Sequence, residues 1–104
     1  MVKLNYGEVH GWGRTHCVNA WSGEPNSVEE LRYLLAHGRS ENLPVIVRGA
    51  GKTYGDMATS CEGVVIGLSR WVEPFQLDAG AGTAVVPPGL PLGMLAECLA
   101  EKGW

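Results

Sequence analysis

Leu43-Pro44-Val45-Ile46-Val47-Arg48-Gly49-Ala50-Gly51-Lys52-Thr53-Tyr54-Gly55-Asp56-Met57 is the stretch on which the reading of this chain turns. Leu43 to Val47 is a short β-branched run between a polar segment and a glycine cluster, the pattern of a buried strand. Gly49 to Ala58 carries three glycines and few apolar residues, so the strand passes at once into a loop. Glycines placed there let successive backbone N–H groups turn toward an anion and approach it where side chains would stand in the way. Phosphate is the natural guest. Arg48, Lys52, Thr53 and Tyr54 add charge and hydrogen-bond donors, which suits a diphosphate better than a single carboxylate. The competing reading is a loop whose glycines serve only tight turns.

Two well-defined phosphate motifs fail on this stretch. A P-loop needs Gly-x-x-x-x-Gly-Lys-Ser/Thr; Gly51-Lys52-Thr53 supplies its end, but Ile46 stands at the first glycine position, inside the strand. Tyr54-Gly55-Asp56 also interrupts the helix that should follow. A dinucleotide fingerprint fails because Gly49-x-Gly51 is followed by Tyr54 at the third glycine position.

Upstream of the loop, Pro25-Asn26-Ser27 leads into a helix whose Ser27 and Glu30 have capping-box spacing and whose Val28, Leu31, Leu34 and Leu35 share one face. The helix is predicted to run to about His37 and to stop at Gly38. Gly11 to Gly23 has no periodicity and reads as an ordered surface arm tied down by Trp12 and Trp21. Downstream, Gly63 to Leu68 is a second buried strand, too close to the first for a crossover helix. Phe75 to Leu77 and Thr83 to Val86 flank the turn residues Asp78-Ala79-Gly80-Ala81-Gly82 and are expected to pair antiparallel. Pro91 suits a first helical turn, and Leu92, Leu95, Ala96 and Leu99 form a second apolar face ending at Gly103. The order α-β-loop-β-β-β-α implies an α+β fold, a small mixed sheet with flanking helices. The chain stops one residue after a helix C-cap, so it reads as the first part of a longer domain.

A chain of 104 residues, 45% hydrophobic and 18% charged, fits one small globular domain. A net charge of −3 without any Lys/Arg run argues against nucleic acid or an anionic membrane as the main partner, and for a small molecule or a protein. Met1 to Gly7 has no apolar run of signal-peptide length and no later stretch suits a membrane span, so a cytoplasmic protein is expected. Cys17, Cys61 and Cys98 are odd in number and form no Cys-x-x-Cys pair, the pattern of reduced, mostly buried thiols. His16-Cys17 has no neighbours with ligand spacing, so no metal site is expected.

The run from Arg48 to Asp56 between two strands resembles the pyrophosphate-binding loop of the vanillyl-alcohol-oxidase/p-cresol-methylhydroxylase flavoproteins. Gly11-Trp12-Gly13-Arg14, Ser27-Val28-Glu29-Glu30-Leu31 and Pro87-Pro88-Gly89-Leu90-Pro91-Leu92-Gly93 look like matching positions of that family, so the resemblance spans Gly11 to Trp104. Gly-Trp-Gly-Arg together with Arg-Gly-x-Gly-x-Ser/Thr-Tyr-Gly-Asp resembles the subgroup of decaprenylphosphoryl-ribose oxidases and related FAD-linked sugar or alcohol oxidases.

The resemblance implies that the chain is the first lobe of an FAD-binding domain. It also implies that Arg48, Gly49, Ala50, Gly51, Lys52, Thr53, Tyr54, Gly55, Asp56 and Met57 wrap the FAD diphosphate, with Asp56 either holding the loop shut or capping a turn. The complete protein would oxidise a small-molecule alcohol by passing a hydride to the flavin. In the family the ring pocket and the substrate domain follow the position of Trp104, so no catalytic residue is assigned within this chain. Relatives that bind FAD covalently use a histidine where this sequence has Lys52, and Cys61 does not match the cysteine of doubly attached relatives, so a non-covalent flavin is expected. The rival expectation is a non-catalytic module that associates with another chain, or with itself, through an exposed apolar face.

Overall fold

The computed structural model of the chain describes residues 2–10, 17–49, 62–71 and 75–104. Its elements are β1 (Asn5–His10), β2 (Cys17–Gly23), α1 (Val28–Ser40), β3 (Val45–Arg48), β4 (Val64–Gly67), β5 (Gln76–Asp78), β6 (Thr83–Val85) and α2 (Leu92–Glu101). A four-stranded sheet has the order β1-β2-β4-β3, and β5 and β6 form a separate two-stranded sheet. β1 and β2 are antiparallel, whereas β2 and β3 both run parallel to β4. The result is the expected α+β architecture, a mixed sheet with helices.

β4 is central because its sequence tolerates burial on both faces: Val64, Val65 and Ile66 are all buried. Val64 and Ile66 face α1 and form the core with Leu34, supported by Val2, Leu4, Leu31, Leu43, Val45 and Leu68. β3 and β4 are parallel, so residues 49–63 carry the chain back to the start of the neighbouring strand. Whether that connection contains a helix falls on residues 50–61, outside the described residues.

The predicted cap of α1 is present. Ser27 Oγ accepts from the Glu30 amide at 3.2 Å, while Glu30 Oε1 accepts from the Asn26 amide at 2.9 Å, one residue further back than the usual capping box. The helix nevertheless runs through Gly38 to Ser40, beyond the predicted stop. What ends it is Asn42 at φ 53, where Asn42 and Leu43 amides close on Arg39 and Gly38 carbonyls at 3.2 and 2.8 Å. Gly38 has a packing role instead: a β-carbon there would collide with Val45. The buried stripe is also narrower than predicted, since Leu34 and Gly38 are buried while Val28 and Leu35 are exposed.

The segment read as an ordered surface arm, Gly11 to Gly23, contains β2, which pairs antiparallel with β1 ahead of it, Asn5 to His10 opposite Cys17 to Ser22. Its composition hides it, because the strand pair is held by ladder bonds and one aromatic pair. Tyr6 and Trp21 are cross-strand partners with ring centroids 5.0 Å apart. Trp12 lies outside the described residues.

β5 and β6 pair antiparallel as expected. Asp78 Oδ1 accepts from the Ala81 amide at 3.1 Å, and Gly82 takes φ 69. Pro91 sits at the N-cap of α2, one position ahead of the predicted first turn. The helix ends as predicted: Gly103 has φ 85, and Gly103 and Trp104 amides bond Ala100 and Leu99 carbonyls at 3.1 and 2.9 Å. The predicted apolar face of α2 is not buried, however: Leu92 is 81% exposed and no residue of the helix is buried. Cys98 is a half-buried free thiol; Cys61 lies outside the described residues. No described helix is long and apolar enough to cross a membrane.

Candidate functional site

β2, β4 and β3 are mutually parallel, so their carboxyl ends, Gly23, Gly67 and Arg48, arrive on the same side of the sheet. Crevices outside the carboxyl ends of parallel strands are where open sheets of this kind bind ligands. A cleft of about 280 Å³ opens there, lined by Val9, Ser22, Gly23, Glu24, Arg48, Gly49, Val65, Gly67 and Ser69. Val65 reaches it because it alternates with the core residues Val64 and Ile66 and so faces away from α1. Pockets that enclose a drug-sized ligand run to roughly 300–1,000 Å³. This cleft therefore matches part of such a molecule.

The exit of β3 into the glycine loop is pinned to the exit of β4. The Leu68 amide donates to the Arg48 carbonyl at 2.9 Å, and the Ser69 hydroxyl donates to the Gly49 carbonyl at 3.2 Å. Behind this contact the Trp71 amide closes a turn on the Leu68 carbonyl at 2.9 Å, and the Gly89 amide donates to the Trp71 carbonyl at 3.2 Å. Gly89 fits only because it lacks a side chain, since a β-carbon would run into the Leu68 carbonyl. The Pro87-Pro88-Gly89 segment, with Pro87 buried, is thereby seated on the turn after β4.

Of the residues predicted to hold a diphosphate, Arg48 and Gly49 are both on the cleft wall. Ala50, Gly51, Lys52, Thr53, Tyr54, Gly55, Asp56 and Met57 lie outside the described residues. Among the described residues nothing comes within 4 Å of where a Gly49 β-carbon would stand, and its φ is not in the left-handed region. A side chain at 49 would therefore meet open space among the described residues. Glu24 on the opposite wall bonds Arg70 at 3.9 Å, with the two side chains 53% and 71% exposed. At that exposure the pair contributes little stability. Ser69 was not among the predicted residues. Its signal, a serine just past a buried strand, is too common to single out from sequence. No cluster of metal-ligating side chains occurs among the described residues.

Residues 23–104 match the FAD binding domain family. Over 97 residues the chain is 30% identical to L-gulonolactone oxidase of Bos taurus, covering 92% of this chain and 22% of that protein. Over 84 residues it is 34% identical to UDP-N-acetylenolpyruvoylglucosamine reductase of Synechococcus sp. (strain JA-3-3Ab), covering 81% of this chain and 26% of that protein. A solved structure of a solvent-stable cholesterol oxidase shares the fold, with a TM-score of 0.78 over 98% of this chain and 20% of that one, at 20% identity. The chain spans 22% and 26% of the length of the two curated relatives.

Proposed function

Because this chain belongs to the FAD binding domain family, in the vanillyl-alcohol-oxidase/p-cresol-methylhydroxylase type, with FAD as cofactor, we propose that its glycine loop holds the FAD diphosphate at the carboxyl ends of β2, β4 and β3. The observation that carries the reading is the position of Arg48 and Gly49, where the Gly-x-Gly sequence begins, on the wall of the cleft at the carboxyl ends of three parallel strands. In this reading the backbone N–H groups of Gly49, Ala50, Gly51 and Gly55 do most of the binding. Arg48 and Lys52 supply positive charge, Thr53 and Tyr54 supply donors, and Asp56 either holds the loop shut or caps a turn before Met57.

When bound, FAD supplies hydride acceptance at its N5 atom. The substrate class we propose is an alcohol, sugar-type or related, following the resemblance of the loop and the names of the gulonolactone and cholesterol oxidases. One relative is named a reductase, so the direction of electron flow is a point for experiment. The 104 residues are proposed as the N-terminal portion of the FAD-binding domain, with the ring pocket, the substrate domain and the catalytic groups elsewhere in the polypeptide; the relatives are several times longer.

Gly51→Val in the complete flavoprotein tests this. A β-branched side chain would occupy the space needed by phosphate oxygens, so flavin binding should be abolished with the circular dichroism spectrum unchanged. Normal FAD binding by this variant would show that the loop is only structural.

A second reading is supported by α2, whose Leu92 and Met94 are 81% and 52% exposed, and by β6, whose Val85 is 71% exposed. Large apolar side chains left exposed in this way favour association with another copy or another chain. Sedimentation of the isolated chain tests this second reading: a stable dimer supports it and a monomer overturns it.

A further inference from the structure

We infer that Ser69 is a positioning residue for the FAD loop, fixing the direction in which the chain leaves β3; this rests on the loop reading above. The β3–β4 ladder ends at Arg48 and Gly67, and among the described residues the Leu68 amide to the Arg48 carbonyl is the last backbone bond across it. One residue later the chain enters a Gly-x-Gly sequence, whose backbone has more conformational freedom than any other. At that point the Ser69 hydroxyl holds the Gly49 carbonyl at 3.2 Å, within the cleft wall that both residues form.

The serine is itself held from behind. Its turn is closed by the Trp71 amide on the Leu68 carbonyl, and the Gly89 amide is bonded to the Trp71 carbonyl at 3.2 Å. Gly89 also lies too close to the Leu68 carbonyl to carry a side chain. A continuous set of contacts therefore runs from Gly89 through the 68–71 turn to Gly49. The bond at Ser69 is exposed, so its loss should change global stability little. Its effect falls instead on the placement of the Gly49 carbonyl at the start of the loop, and a misplaced start is a cost in FAD affinity.

The test is FAD titration of the complete flavoprotein, stripped and reconstituted, in four forms: wild type, Ser69→Ala, Ser69→Thr and Gly51→Val. Ser69→Ala should raise the FAD Kd about fivefold, the equivalent of a single bond of about 1 kcal/mol, with the apoprotein Tm within about 2 °C of wild type. Ser69→Thr keeps the hydroxyl and should restore the wild-type Kd. Unchanged FAD affinity in Ser69→Ala, failure of Ser69→Thr to rescue, or an apoprotein Tm that falls in step with affinity would each overturn the inference. Gly51→Val separates the two levels. If it loses flavin while Ser69→Ala does not, only the role of Ser69 is lost; if it binds FAD normally, the loop reading fails as well.

Discussion

Gly38 of α1 lies flush against Val45 of β3, leaving no room for a β-carbon between helix and strand. This contact sets how closely α1 approaches the sheet. In an open helix, replacing glycine by alanine would stabilise by up to about 1 kcal/mol through propensity alone. Here the new methyl meets a valine γ-carbon whose χ1 is stiff, and inserting a methyl into a packed contact costs about 1–3 kcal/mol. Overpacking wins, so Gly38→Ala should lower stability by about 1 kcal/mol in denaturant unfolding. Adding Val45→Ala should make the double variant more stable than the sum of the two single losses. A Gly38→Ala protein at least as stable as wild type would sink the argument.

Gly89→Ala should do more damage. Its obstacle is the Leu68 carbonyl, a backbone atom in the turn that also carries Ser69, and backbone cannot swing aside as a side chain can. A loss of about 2–3 kcal/mol is expected, at the upper end for overpacking. Weakened FAD binding should accompany it, because the displaced turn is bonded to the exit of β3. Thermal unfolding and flavin titration of the same sample check both parts; a stable variant with intact affinity contradicts the proposed seating of Pro87-Pro88-Gly89.

These two glycines also show what sequence could and could not convey. Local chemistry was readable: the Ser27 cap, the β-branched runs of β3 and β4, the turn glycines before β6 and the Gly103 stop all act within a few residues of chain. Gly38 looked like a helix terminator because a glycine near a helix end usually is one, and only the position of Val45 in space shows otherwise. β1 and β2 were invisible for a related reason. A strand pair stabilised by ladder bonds and by Tyr6 on Trp21 needs no alternating apolar pattern. In the candidate site, Arg48 and Gly49 were legible through the Gly-x-Gly loop, whereas Ser69 and Gly89 act through backbone carbonyls distant in sequence.

The isolated 104-residue chain should hold FAD weakly. Its cleft of about 280 Å³ is at the lower bound of the roughly 300–1,000 Å³ that encloses a drug-sized ligand, and FAD is a larger molecule than that. On the proposal above these residues hold the diphosphate alone, which would leave most of the cofactor in water. Gel filtration after incubation with FAD should therefore return a colourless chain. Stoichiometric yellow protein would show that these residues alone complete a flavin site.

In the complete flavoprotein the FAD should be non-covalent. Relatives that attach the ring do so through a histidine in a Gly-x-Gly-His-Ser loop, where a neutral imidazole nitrogen offers a lone pair to the flavin methyl carbon. Lys52 takes that position here. A protonated ammonium has no lone pair to form such a bond. Its contribution is then electrostatic, so Lys52→Ala should weaken FAD binding and Lys52→Arg should largely preserve it. The second attachment point used by doubly linked relatives is a cysteine, and Cys61 does not match its place in sequence. Acid precipitation followed by mass spectrometry decides the matter: the pellet should be colourless and the protein mass unmodified. Colour that stays with the pellet, with a peptide containing Lys52 or Cys61 heavier by one flavin, would mean that a nucleophile in or near this loop is activated in a way its residue types do not indicate.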